Sequence, residues 1–158
     1  MNIPEQFKVV NILAPTTDAS ARTSTWSTLK DSIKAWIVVN VSNAAATALT
    51  VTPTQATAVA GSSAKPIPVS NIWSCLDGVA SDLLVRRTSA VAYATPATAT
   101  KICTIIIEID PASLDSAGGF DCVGFATLGA AATNLLSAQL ICQMRYDGAA
   151  TMPSVLTD

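Results

Sequence analysis

The amino-acid sequence predicts an all-β protein: an antiparallel β-sandwich or barrel, jelly-roll-like, with one or two short helical turns. Three observations carry that prediction. Apolar and polar residues alternate with a period of two through much of the chain, the period at which successive strand side chains point to opposite faces. The alternating runs are rich in β-branched residues, which fit a pleated surface. Breaks containing Gly, Pro, Asn and Ser divide them into roughly eight to ten short strands, a spacing that describes a sandwich or barrel.

The chain has 158 residues, half of them apolar. That is enough for one domain with a real core and too little for two of ordinary size. A single β-rich domain over 1–158 is expected, with an N-terminal arm (1–15) and a C-terminal tail (148–158) as interaction segments.

The elements follow in order. "QFKVVNIL" reads as a first strand. "TSTWSTLKDSIKAW" offers Ser and Thr caps with Trp26, Leu29 and Ile33 at helical spacing, so a short helix is expected there. "AWIVVNVS" sets Ile37, Val39 and Val41 against Trp36, Val38, Asn40 and Ser42. In "ALTVTPT", Leu49 and Val51 alternate with Thr50 and Thr52, and Pro53 implies an edge or a strand end. "PIPVSNIWSCL" and "LLVRRTSAVAYAT" read as further strands. "KICTIIIEI" places Cys103, Ile105, Ile107 and Ile109 on one face and Ile102, Ile106 and Glu108 on the other, a strand expected to be covered on both sides over much of its length. "DPASLDS" is a single helical turn, "DCVGFATL" a strand, and "SAQLICQMRY" a half-buried strand with Leu140, Cys142, Met144 and Tyr146 on one face.

Composition narrows the function classes. Charged residues make up 13% of the chain and the formal net charge is −2, so no basic field exists for nucleic acid or an anionic membrane. The uncharged run 122–144 is long enough to cross a bilayer, but Thr127, Gly129, Asn134, Ser137 and Gln139 interrupt it and its second half alternates. Neither nucleic acid nor membrane is expected as a partner. The start "MNIPEQFKVVNILAP" lacks the pattern of a signal peptide, which implies synthesis in a cytosol. A surface rich in Ala, Thr and Ser can be covered by neighbouring subunits without desolvating many ions, which favours assembly.

Chemistry is sparse. The chain has no histidine, which excludes Ser-His-Asp and Cys-His catalysis, and G-x-S-x-G and P-loop patterns are absent. Ser81-Asp82 and Lys30-Asp31 read as loop or surface residues, and the sequon at Asn40 falls in a strand. No enzyme activity and no cofactor is expected. The acidic segment "CTIIIEIDPASLDSAGGFDCV" carries Glu108, Asp110, Asp115 and Asp121 beside Gly118-Gly119, but the acids do not follow calcium-loop spacing. It reads as strand, turn, strand, with Asp110 capping the turn. Cys75, Cys103, Cys122 and Cys142 form no C-x-x-C pair and read as buried thiols; bridges formed after release to an oxidising medium are the alternative. Trp26, Trp36 and Trp73 lie in separate segments and read as core or interface, with sugar stacking left open.

Several stretches together carry a resemblance: "FKVVNILAP", "LKDSIKAWIVVNVS", "TPTQATAVAGSSAKPIPVSNIW", "ASDLLVRRT", "IEIDPASLDSAGGFDCV" and "MRYDGAATMPSVLTD". In this order of phrases, spanning most of the chain, the sequence resembles small virion proteins of tailed bacteriophages encoded near the capsid genes and taken to be head decoration, cement or minor capsid proteins. The resemblance implies a structural role on the outer surface of the capsid. The partners would be the major capsid protein and further copies of the chain, as a homotrimer or dimer; the site of synthesis would be the host cytoplasm. It transfers no functional residues. A receptor- or glycan-binding module of the virion surface, or a tail or head-fibre component, is the alternative. Residues expected at capsid or subunit contacts are Phe7 and Pro15 of the arm, Trp26 of the Thr/Ser-rich stretch 16–28, and Met152, Pro153, Val155 and Leu156 of the tail.

Overall fold

The structure is a computed structural model and describes residues 6–99, 101–145 and 154–156. Its strands are β1 (Phe7–Thr17), β2 (Arg22–Thr23), β3 (Ser27–Thr28), β4 (Ser32–Asn43), β5 (Thr50–Ala56), β6 (Lys65–Pro66), β7 (Ser70–Cys75), β8 (Val85–Ala90), β9 (Tyr93–Ala94), β10 (Lys101–Ile109), β11 (Cys122–Thr127) and β12 (Leu135–Met144). All pairings among them are antiparallel. One sheet runs β1-β12-β4-β10-β7-β8; the other runs β2-β11-β5-β6, with β3 also on β11 and β9 also on β5. Counting β2 with β3 and β6 with β9 as one strand each, and setting the β7–β8 hairpin aside, the chain passes through eight strands ordered 1-8-3-6 and 2-7-4-5. That is the double Greek key of a jelly roll, as expected.

Alternation explains why these segments form these strands. Across the larger sheet Val10, Leu140, Ile37, Ile107 and Ile72 lie abreast in register, and all are buried. Val51, Val123 and Phe125 of the second sheet belong to the same core. Each fully buried aliphatic or aromatic side chain contributes about 1.5–3 kcal/mol, so this layer dictates register: a slip by one residue would turn every one of these side chains to the surface.

Three expectations need correction. The segment around Trp26, Leu29 and Ile33 is not helical. It forms β3, a turn closed by Ser32 N donating to Leu29 O (3.0 Å), and the start of β4. The helical spacing is accidental, because Trp26 and Leu29 are buried in different clusters and Ile33 is exposed. Pro53 is neither at an edge nor at a strand end. It lies inside β5, opposite Phe125 on one side, where the neighbour on the other side changes from β9 to β6; a proline is tolerated where the ladder is interrupted. Finally, β10 is covered on one face only: Cys103, Ile105, Ile107 and Ile109 are buried, whereas Ile102 is exposed and Ile106 and Glu108 are half-buried.

A short helical turn occurs where the sequence places it, at Pro111–Ser113, and a second follows at Ser116–Gly118. The described part of the arm belongs to the fold. β1 is an edge strand of the larger sheet, broken by register shifts between Asn11 and Leu13 and between Leu13 and Thr16. Pro15 falls in the second irregularity. Bulges and a proline are devices that keep an edge from recruiting another strand.

Candidate functional site

Each acid of the segment 103–123 has a structural partner. The Asp110 carboxylate accepts from Ala112 N (2.9 Å) and caps the first turn. Asp115 accepts from Gly118 N (3.1 Å) and pairs with Lys65 at 2.5 Å; the ammonium holds its carboxyl below the usual carboxylate value. Gly119, at φ 77°, closes that turn in the left-handed region. Glu108 pairs with Lys34 at 2.7 Å and Asp121 with Lys30 at 3.5 Å. The segment is strand, turn, strand. Among the described residues no three His, Cys, Asp or Glu side chains gather as a metal site, and no helix is long and apolar enough to cross a membrane.

The four cysteines are buried thiols that form no disulfide. Burial pushes the Cys142 thiol up to about 11 and raises that of Cys103 as well. A thiol held above its ordinary range is mostly protonated near neutrality and so a poor nucleophile.

The expected contact residues separate by environment. Pro15 and Leu156 are exposed, and Phe7 is half-buried with its ring centroid 6.2 Å from that of Trp36. Trp26 and Val155 are not surface groups. Trp26, 9% exposed, packs with Ala56 and Cys122 on the outer side of the smaller sheet. Val155 is in the main core, and its carbonyl accepts from Thr28 N (2.8 Å), so this part of the tail is docked on its own chain. Met152 and Pro153 lie outside the described residues.

Two surface features were not foreseen. The first is the β7–β8 hairpin, which stands outside the eight-strand frame. Its loop and second strand carry Val79 (78% exposed), Leu83 (67%), Leu84 (42%) and Val85 (40%), followed by Arg86 and Arg87. Neighbouring exposed aliphatics at one sheet edge are a departure from the scattered single apolar residues of an ordinary surface. The legible signal was the run "LLV", which has no alternation.

The second feature is a groove of about 310 Å³ on the outer face of the larger sheet, lined by Trp36, Val38, Trp73, Leu84, Ile106, Glu108 and Ile141. Register explains its composition. Trp36, Glu108 and Asn71 form one row across β4, β10 and β7, and Val38, Ile106 and Trp73 form the next. Two tryptophans far apart in sequence thus share one face. Lys34 Nζ lies 5.9 Å from the Trp36 ring centroid, and the Arg86 guanidinium lies 5.7 Å from that of Trp73.

Comparison with protein-family models, curated proteins and solved structures finds no match to this chain.

Proposed function

We propose that this chain is a structural virion protein that binds the outer surface of a tailed-phage capsid as a decoration or cement protein and stabilises the shell. The observation that carries the reading is the β7–β8 hairpin. A jelly roll, an architecture that viral capsid domains use, here bears an added edge hairpin whose exposed aliphatics require a partner to leave water. The resemblance of the order of phrases to phage head proteins supports the same reading, and so does the low charge of the chain.

The physical task suits such a molecule. A clamp seated at a seam between capsomers buries apolar area at about 25 cal/mol per Å², and that area must be exposed again when the capsomers part. A symmetric homotrimer or dimer of clamps, matched to a local axis, multiplies a weak contact by effective concentration. No reaction chemistry is needed.

The test is co-sedimentation with shells assembled from the cognate major capsid protein. The expected result is pelleting at a fixed ratio to the capsid subunit, and a loss of apparent affinity of about tenfold or more in Val79→Asp/Leu83→Asp, since a tenfold loss corresponds to only about 1.4 kcal/mol. Both side chains are exposed, so the variant keeps the wild-type melting temperature. A chain that stays in the supernatant with intact shells overturns the capsid assignment.

A further inference from the structure

We propose that the groove between Trp36 and Trp73 is a binding site for a neutral saccharide, a property separate from attachment to a shell. Its volume of about 310 Å³ falls at the lower end of the range of small-ligand pockets, about 300–1,000 Å³. The two indoles lie two strands and two residues apart in register, a Cα separation of roughly 12 Å from standard strand spacing and rise. A ligand touching both is therefore longer than one six-membered ring.

The chemistry of the lining selects among occupants. Trp36, Trp73, Ile106, Val38 and Ile141 offer apolar faces, but Glu108 sits among them, in register between Trp36 and Asn71. Its carboxylate, 20% exposed, is paired with Lys34 at 2.7 Å. A wholly apolar side chain from a protein partner would seal this ion pair from water and return no hydrogen bond, a costly arrangement. A pyranose has both characters: its C–H face lies on an indole, and its hydroxyls exchange hydrogen bonds with groups that would otherwise lose water. Here the acceptor is Glu108. The donors are Lys34 and Arg86, each already beside one of the tryptophans. The Glu108 carboxylate is already balanced by Lys34, so a sugar needs no charge of its own to bind here, and the proposed occupant is a neutral one.

The experiment is a titration of the intact chain with cellotriose, maltotriose and chitotriose, read by tryptophan fluorescence and by the NMR signals of the sugar protons. At least one of the three is expected to give a saturable response that weakens by about tenfold or more in Trp73→Ala. Glu108→Gln, which keeps the shape and removes the charge, is expected to weaken it to a lesser degree while leaving the circular-dichroism spectrum unchanged. Should Trp73→Ala fail to fold, Glu108→Gln and Leu84→Asp, at the exposed rim, carry the test. Absence of a saturable response to all three sugars overturns the proposal, and so does a response indifferent to these substitutions. A dimer that dissociates in Trp73→Ala and ignores all three sugars would reassign the groove to a second copy of the chain. Trp73→Ala leaves pelleting with shells unchanged if the two properties are independent, so failure of one assignment does not entail failure of the other.

Discussion

Trp26 illustrates how a single side chain, read as core or interface, takes its place from contacts distant in sequence. As the tryptophan of the Thr/Ser-rich stretch 16–28 it was expected at a contact, and within its own chain it closes a small second core on the far side of the smaller sheet. Two glycines make room for it: a Cβ at Gly124 would lie 3.1 Å from its ring, and one at Gly61 would lie 2.3 Å from Nε1. Gly61 also has φ +78°, a conformation that other residues adopt at a cost. Gly61→Ala is therefore expected to destabilise the fold by roughly 1 to 3 kcal/mol in chemical denaturation. An unchanged midpoint would mean that the indole is not packed against this turn. Nothing in "AGSS" announces the contact, because it joins residues distant in sequence. By contrast, Asp110 before Pro111 was legible as a cap, since a cap acts within one turn of chain.

Strands were legible where alternation is strict and obscure where both faces are apolar. In β10 the inner face Cys103, Ile105, Ile107, Ile109 could be read directly. What lies over Ile102 and Ile106 could not, because periodicity does not reveal how many layers a fold has. The connections at one end of the sandwich were silent too. There the loop between β1 and β2 meets those after β4 and β11: Asp18 N donates to Asn134 O, Ala130 N donates to Asp18 O, and Ala45 N donates to the Asn134 side chain. Thr127 Oγ1 donates to the Asp18 carboxylate at 3.0 Å, whose other oxygen is buried without a protein partner. Burial raises the Asp18 carboxyl above its ordinary 3.8, against the opposing pull of Thr127, Ala130 and Arg22. A raised folded-state value means that the folded protein holds this proton more tightly than the unfolded chain. The stability it contributes is present in full below 3.8 and lost as pH rises through the folded value. The melting temperature of the wild type relative to Asp18→Asn should thus increase as pH falls from 7 toward 4. Asp77 beside Lys101 and Asp115 beside Lys65 have lowered values, so the stability they contribute is instead lost as pH falls below the usual carboxylate value. A wild-type melting temperature that falls relative to that of Asp18→Asn on acidification would contradict the assignment of the raised value to Asp18.

The molecule as a whole is a jelly roll with one edge closed and one decorated. β1 blunts its edge with bulges and Pro15, whereas the opposite end of the same sheet is extended by the β7–β8 hairpin with its exposed aliphatics. The architecture followed from the sequence because roughly eight to ten alternating segments leave few other ways to bury their apolar faces. The hairpin's position and the joining of Trp36 to Trp73 did not, since strand order brings them about and order is not written in any local pattern. The proposed shell binding leaves its plainest mark in a three-dimensional reconstruction of the virion. Jelly-roll density is expected on the outside of the shell, with Val79 and Leu83 against capsid subunits and the Trp36–Trp73 groove open to solvent. A shell without that density, or with the hairpin pointing away from it, would rule the proposed role out.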